Sequence, residues 1–148
     1  MIAIGTRAHG ETRRRPIPVL NDTFFKAEWL ETPDNPTLSP TAFLVEQPPN
    51  TTLVPHFHKN NQFQLFVDGS GTIGRHPIGP VTVHYAGAFT GYGPLVSGSN
   101  GIKYFTCVRS VKAACTPWSI IALTSSLAPA DMRARRHLRL WALSCFRG

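Results

Sequence analysis

The stretch Val54–Gly71, VPHFHKNNQFQLFVDGSG, carries the strongest structural signal in this 148-residue chain. In its second half two sets of side chains alternate, as they do along a β-strand. One set is Gln62, Gln64, Phe66 and Asp68, and the other is Phe63, Leu65 and Val67. The first set begins polar and turns apolar, which suits the lining of a small barrel around a site. The second is uniformly apolar and requires a covering layer, while the glycines of DGSG predict a tight hairpin.

Short apolar runs separated by turn-forming residues continue on both sides of this stretch. They include TAFLVEQ before it and VTVHYAGAF and IKYFTCV after it. Thirteen prolines and twelve glycines favour strands and turns over long helices, and 42% hydrophobic with 16% charged residues is a globular composition. The sequence therefore predicts an all-β sandwich or barrel in a single domain.

Composition divides the chain into three parts. Residues 1–19 are expected to form a flexible N-terminal arm, residues 20–112 the barrel, and residues 113–148 a C-terminal tail that is either irregular or helical. Within the tail, residues 131–143 have the pattern of a basic helix. Three interpretations of this helix stay open: a solvated helix, a surface for a membrane or a partner, or a tail produced by a shifted reading frame.

The net charge of +7 is concentrated at the two ends of the chain. Residues 1–19 carry +3 and residues 131–148 carry +4, so the body between them is neutral. A nucleic-acid groove needs basic groups spread over a folded face, and specific nucleic-acid binding is therefore not expected. No apolar run approaches the roughly 20 residues of a membrane span, and the N-terminus lacks a signal-peptide pattern, so a cytoplasmic location is expected.

Two histidines one residue apart, His56 and His58, are candidate metal ligands. On an extended strand both imidazoles face the same side, with Cα atoms about 6.6 Å apart, a span that two rings can close onto one ion. Imidazole suits zinc, copper, iron and nickel. Paired carboxylates for acid–base catalysis are absent, since only Asp68 lies near the histidines in sequence, so catalysis would depend on the metal.

The same segment resembles the first motif of the cupins, which are small jelly-roll β-barrels. Their pattern is His-x-His, three or four residues, a glutamate, six residues and a glycine. Here the order is His56, His58, three residues, Gln62, six residues and Gly69, so the spacing matches with glutamine in the glutamate position. The resemblance covers about residues 40–110. It implies an all-β, single-domain cupin-type jelly-roll barrel with His56, His58 and Gln62 as metal ligands.

The second cupin motif departs further from the family pattern. The corresponding stretch is GAFTGYGPLVSGSNG, in which Gly87 opens the motif and Pro94 comes one residue late. No histidine stands near residue 98, where the family has its last ligand. Because glutamine offers a neutral oxygen, a divalent transition metal (Fe, Mn, Ni, Zn or Cu) is expected to be weakly held or absent.

Three further residues are candidates for the same site. Gln64 shares the side of the strand on which Gln62 lies and is a candidate substrate contact, as is Tyr92 at the mouth of the barrel, although paired core glutamines and ordinary tyrosine packing are alternatives. His84 in VTVHYAG is a possible additional metal ligand.

Two hypotheses about function follow from this pattern. The first is a metal-dependent enzyme, an oxygenase, isomerase or lyase, acting on a small organic molecule. The second is a non-catalytic barrel that binds or senses a small molecule through a degenerate metal site. A purely structural role through the basic ends is less favoured. A homodimer is expected if a second subunit covers the face formed by Phe63, Leu65 and Val67.

Overall fold

The computed structural model describes residues 2–20, 23–31 and 40–108 of the chain. Eight strands, one α-helix and one short 3-10 helix form this part of the protein. In chain order they are α1 (Arg7–Thr12), β1 (Arg14–Pro16), the 3-10 helix Pro18–Leu20, β2 (Phe25–Leu30), β3 (Thr41–Gln47), β4 (Thr52–Leu53), β5 (Gln62–Ile73), β6 (His76–Ile78), β7 (Val83–Ala86) and β8 (Leu95–Val108).

All strand pairs are antiparallel and belong to one eight-stranded sheet. The order is β1-β2-β3-β8-β5-β6, with β4 on β8 and β7 on β5. The long strands β5 and β8 pair over most of their length. They connect β1, β2 and β3, on one side of the sheet order, to the short strands β4 and β6. A single buried cluster contains Phe43, Phe66 and Tyr104 together with Leu53 of β4 and Leu95 at the start of β8. The sheet therefore folds over one core as an all-β barrel.

The alternation predicted for β5 is confirmed over its first five residues. Gln62, Gln64 and Phe66 are buried, whereas Phe63 is exposed. Asp68 departs from the pattern and is exposed, because the register against β8 shifts between Phe66 and Asp68. Such a bulge reverses the side to which the following side chains point. The Asp68 carboxylate lies 3.0 Å from Lys103 Nζ on the outside of the sheet.

The hairpin predicted at DGSG is wrong, because β5 continues through these residues to Ile73 and turns only after it. The glycines serve close packing of the backbone instead. Gly69 has φ +75°, and a Cβ on it would collide with the carbonyl of Gly101 on β8. A tight hairpin and a bulged, closely packed strand both call for glycine, so the composition alone does not distinguish them.

Residues 2–19, which lie in the segment predicted as an N-terminal arm, contain regular secondary structure. They include α1 and β1, and β1 extends the sheet by pairing with β2. Three consecutive arginines bind glutamates on neighbouring strands or just beyond them. The pairs are Arg13 with Glu31 at 2.6 Å, Arg14 with Glu46 at 2.9 Å, and Arg15 with Glu28 at 2.7 Å. The basic cluster that suggested a solvated arm therefore serves in part to fasten the first strand to the sheet.

No helix in the described part of the chain is long and apolar enough to cross a membrane. The tail predicted at residues 113–148, including the basic helix at 131–143, lies outside the described residues.

Candidate functional site

The hydroxyl of Tyr92 lies at the centre of a cluster of four polar side chains. Its oxygen is 3.0 Å from His56 Nε2, 3.1 Å from His58 Nε2, 2.7 Å from Gln62 Nε2 and 3.2 Å from Gln64 Nε2. A sixth residue, His84, joins through Gln64, whose Oε1 lies 2.8 Å from His84 Nδ1. All six are residues that the sequence nominated, and we refer to them below as the Tyr92 cluster.

Separate parts of the chain bring these residues together. Gln62 and Gln64 come from the start of β5, where the strand alternation turns both amides inward. His84 lies on β7 directly opposite Gln64 in the antiparallel register. Tyr92 comes from the loop between β7 and β8 and pairs with His56 through two backbone hydrogen bonds, of 3.1 and 3.0 Å. These two bonds fix the backbone of Tyr92 beside the histidine pair.

The direction of the hydrogen bonds follows from donor and acceptor chemistry. His56 Nδ1 lies 2.8 Å from the Val54 carbonyl, which only accepts, so His56 donates from Nδ1 and its neutral ring has a lone pair on Nε2. The Tyr92 hydroxyl donates to that lone pair and accepts from the amide groups of Gln62 and Gln64. One donor and two acceptor sites are the full capacity of a hydroxyl, so the three bonds with His56, Gln62 and Gln64 satisfy it, and His58 Nε2 at 3.1 Å competes with the two amides for its acceptor sites.

The burial of the cluster increases from its outer to its inner side. His56, Gln62 and Gln64 are at most 3% exposed, whereas His58, His84 and Tyr92 are half-buried. The half-buried members therefore form the more exposed side of the cluster. The buried members, His56, Gln62 and Gln64, hold the Tyr92 hydroxyl by hydrogen bonds on the side that faces the core.

Burial also keeps the cluster uncharged near neutral pH. It lowers the pKa of His56, against the hydrogen bond to Val54, which raises it. Burial and the neighbouring His56 ring lower the pKa of His58 to about 4, and the same two causes lower the pKa of His84. For Tyr92, burial raises the pKa above its ordinary value despite the hydrogen bonds from Gln64 and Gln62. Desolvation disfavours the charged form of every one of these groups.

The donor set does not fit a divalent metal ion in this arrangement. Metal–imidazole bonds are about 2.0–2.1 Å for zinc, whereas both histidine Nε2 atoms lie at hydrogen-bond distance from the phenol oxygen that occupies their meeting point. Both glutamines present the amide nitrogen to that point, so each would have to turn its amide oxygen inward before it could act as a ligand. No group of three or more His, Cys, Asp or Glu side chains within residues 2–20, 23–31 and 40–108 could hold a metal.

Tyr92 was nominated as a substrate contact at the mouth, and its central position was not anticipated. No periodic pattern marks it, since it lies in the loop sequence GYGP. The metal roles of His56, His58 and Gln62, the substrate role of Gln64 and the ligand role of His84 stay predictions.

Comparisons with known proteins support the fold. No family model and no curated protein matches the sequence. Among solved structures, KdgF from Halomonas has a TM-score of 0.56 at 15% identity, covering 74% of this chain and 94% of that one. An RmlC-like cupin from Ralstonia eutropha has a TM-score of 0.53 at 19% identity, covering 66% of this chain and 62% of that one. The polyketide cyclase RemF from Streptomyces resistomycificus has a TM-score of 0.50 at 20% identity, covering 58% and 64%. The chain thus spans less than two thirds of the length of the last two proteins.

Proposed function

Starting from the cupin fold of this chain, we propose that the protein binds a small, uncharged polar molecule at the outer side of the Tyr92 cluster. One observation carries the proposal: six polar side chains converge where cupins carry their site, and none of them is Asp, Glu, Lys or Arg. His58, His84 and Tyr92 are half-buried, and in this proposal they are the members of the cluster that contact the ligand. The role is binding or sensing, without a resident metal.

The chemistry of the cluster favours ligands that carry hydroxyl groups. Its members already solvate a phenolic hydroxyl, that of Tyr92, with two amide donors and an imidazole acceptor. Neutral His84 donates from Nδ1 to Gln64 Oε1, so its Nε2 has a lone pair that can accept a hydrogen bond from a ligand. An anionic ligand would meet no cation in the cluster, and burying an unpaired charge there would cost free energy.

The proposal is tested with ligand pairs that match in shape and differ in charge. Phenol and benzoate form one pair, and glucose and glucuronate, which share the pyranose ring, form another. We expect the neutral member of at least one pair to raise the melting temperature of the wild-type protein, and the anion to bind at least about tenfold more weakly in calorimetry. The contrary results are equal or tighter binding of the anion, or no response to any neutral probe.

A variant pair locates the binding site on the molecule. Gln64→Leu removes the amide that links Tyr92 and His84 at similar side-chain size, and it should abolish the response to the neutral ligand. Val83→Ala, on the outer face of β7, is the matched control and should leave the response unchanged. Binding that is retained in Gln64→Leu would place the ligand elsewhere, and so would loss of binding in Val83→Ala alone.

The metal-dependent enzyme that the sequence also suggested makes a different prediction for the same protein preparation. It requires near-stoichiometric metal in the purified wild-type protein, which a His56→Ala/His58→Ala double variant loses. Plasma mass spectrometry measures this directly. Metal found at one equivalent in the wild type and absent from the double variant would replace the binding proposal.

A further inference from the structure

The Tyr92 side chain occupies the point at which a metal would be bound by the histidine pair. His56 Nε2 and His58 Nε2 both point to its hydroxyl oxygen, and the two glutamine amides complete the surroundings of the same atom. An ion bound by both imidazoles would overlap this oxygen. The ion and the phenol group therefore exclude each other.

Several contacts hold the phenol group in this position. Two backbone hydrogen bonds join Tyr92 to His56, and the phenol ring lies 4.6 Å from the His56 ring and 4.8 Å from the His84 ring between centroids. The hydroxyl has its full set of three hydrogen bonds, as described above. For the ring to leave, the buried amides of Gln62 and Gln64 would have to give up a partner, which disfavours an open state.

We infer that Tyr92 is the residue that determines the specificity of this site, by filling the metal position of the barrel with its own hydroxyl and excluding divalent ions. The histidine pair then serves as a hydrogen-bonding platform. The glutamines at positions 62 and 64 suit this role, because an amide donates a hydrogen bond to a hydroxyl and a carboxylate cannot. The inference concerns the same cluster as the proposed function, but it does not depend on which neutral ligand binds there. Metal titrations therefore test it separately from the titrations with phenol and glucose.

Three substitutions at position 92 separate the effect of the ring from that of the hydroxyl. Tyr92→Phe removes the hydroxyl but keeps the edge of the ring against the metal position, and it should bind no metal. Tyr92→Ala empties the position and should bind Ni(II) or Zn(II) through the two imidazoles. Tyr92→His adds a third imidazole on a shorter side chain and should bind at least about tenfold more tightly than Tyr92→Ala. Calorimetry with the metal alone measures each affinity, and circular dichroism checks that each variant is folded.

Matched controls distinguish this site from adventitious histidine binding. Tyr85→His places a new imidazole on the exposed side of β7, where Tyr85 is 53% exposed, and should bind no metal beyond the wild-type level. Adding His56→Ala and His58→Ala to Tyr92→His should abolish the binding. A folded Tyr92→His protein that fails to bind Ni(II) or Zn(II) would overturn the inference.

Two further measurements keep Tyr92 in place and do not depend on the folding of its variants. Gln62→Glu supplies the family's carboxylate, yet we expect no tighter Fe(II) or Mn(II) binding while the phenol group remains. Binding in Gln62→Glu at one equivalent would overturn the inference. So would an Fe(III) titration of the wild type that produces a visible phenolate-to-iron absorption band, because Tyr92 would then be a ligand.

Discussion

Tyr92 shows how one residue changes the chemistry available to a barrel. Its hydroxyl satisfies two buried amides and a buried imidazole, so the centre of the site stays neutral and hydrogen-bonded. A metal site with the same histidines would hold a full positive charge at that point. The choice between these two outcomes depends on a residue outside the histidine motif.

Burial of His58 makes the stability of the fold depend on pH. Its pKa falls from 6.5 in the unfolded chain to about 4 in the folded protein, so between these pH values the unfolded state binds more protons. Stability is therefore lost as the pH falls through this range, by up to about 3 kcal/mol from this group. We expect the free energy of unfolding to decrease steadily between pH 6.5 and pH 4. Urea denaturation at several pH values measures this decrease.

The variant His58→Asn identifies the group responsible for the pH dependence. It should flatten the curve of stability against pH in the window from 6.5 to 4, whereas His76→Asn, at an exposed position on β6, should not change the slope. Equal slopes for the wild type and His58→Asn would show that His58 does not titrate in this way.

At the scale of elements, β5 determines both the site and the shape of the barrel. Its first residues present Gln62 and Gln64 to the interior, and its later glycines let it pack closely against β8. The bulge after Phe66 separates the two functions and turns Asp68 outward. One strand therefore carries the polar site at its start and the bend of the sheet further along.

The glycine at position 69 is expected to be essential for stability. Gly69→Ala would place a Cβ against the Gly101 carbonyl at a φ of +75°, so we expect a loss of about 2–4 kcal/mol. Gly91→Ala is the matched control, since nothing lies within 4 Å of a Cβ there, and should cost less than about 0.5 kcal/mol. Urea midpoints compare the two. Similar midpoints would refute the close approach of β5 and β8.

At the scale of the whole molecule, part of the outer face of the sheet exposes large apolar side chains. Trp29 packs on Phe105 edge to face at 4.9 Å, and an open groove of about 430 Å³, lined by both rings and by residues of α1, lies over this part. Beyond it, Phe63 and Tyr85 pair across β5 and β7 with rings 5.0 Å apart and exposures of 56% and 53%. Adjacent exposed aromatic side chains on a flat face favour association.

We therefore expect the protein to be a homodimer that buries this face against a second copy. Phe63→Ser together with Tyr85→Ser should shift the protein to monomer in sedimentation velocity, because the paired rings would no longer supply apolar area. Ile4→Ser, at a residue 82% exposed on the N-terminal segment, is the matched control and should leave the association unchanged. A wild-type protein that is monomeric at all concentrations would contradict the prediction.

The alternation in QFQLF and the runs around it were enough to predict an all-β barrel with the two glutamines turned inward. These are local properties, since successive side chains of a strand alternate between its two faces and the pattern can be seen in neighbouring residues. The spacing of His56, His58 and Gln62 likewise pointed to three residues that the structure brings together around one hydroxyl group. The hairpin prediction failed at DGSG, because glycine suits both a tight hairpin and a closely packed strand. The ion pairs of Arg13–Arg15 were not predicted, because the sequence does not show which glutamates lie beside them.

The identity of the group at the centre of the site depends on the tertiary structure. Tyr92 stands 36 residues from His56 and 28 from Gln64 along the chain, and no local pattern records that its hydroxyl reaches both. The β-bridge to His56 and the antiparallel pairing of β5 with β7 create that meeting point. Alternation along a regular stretch of strand indicates which side each side chain takes, but the atom on which separate segments converge depends on the packing of the whole barrel.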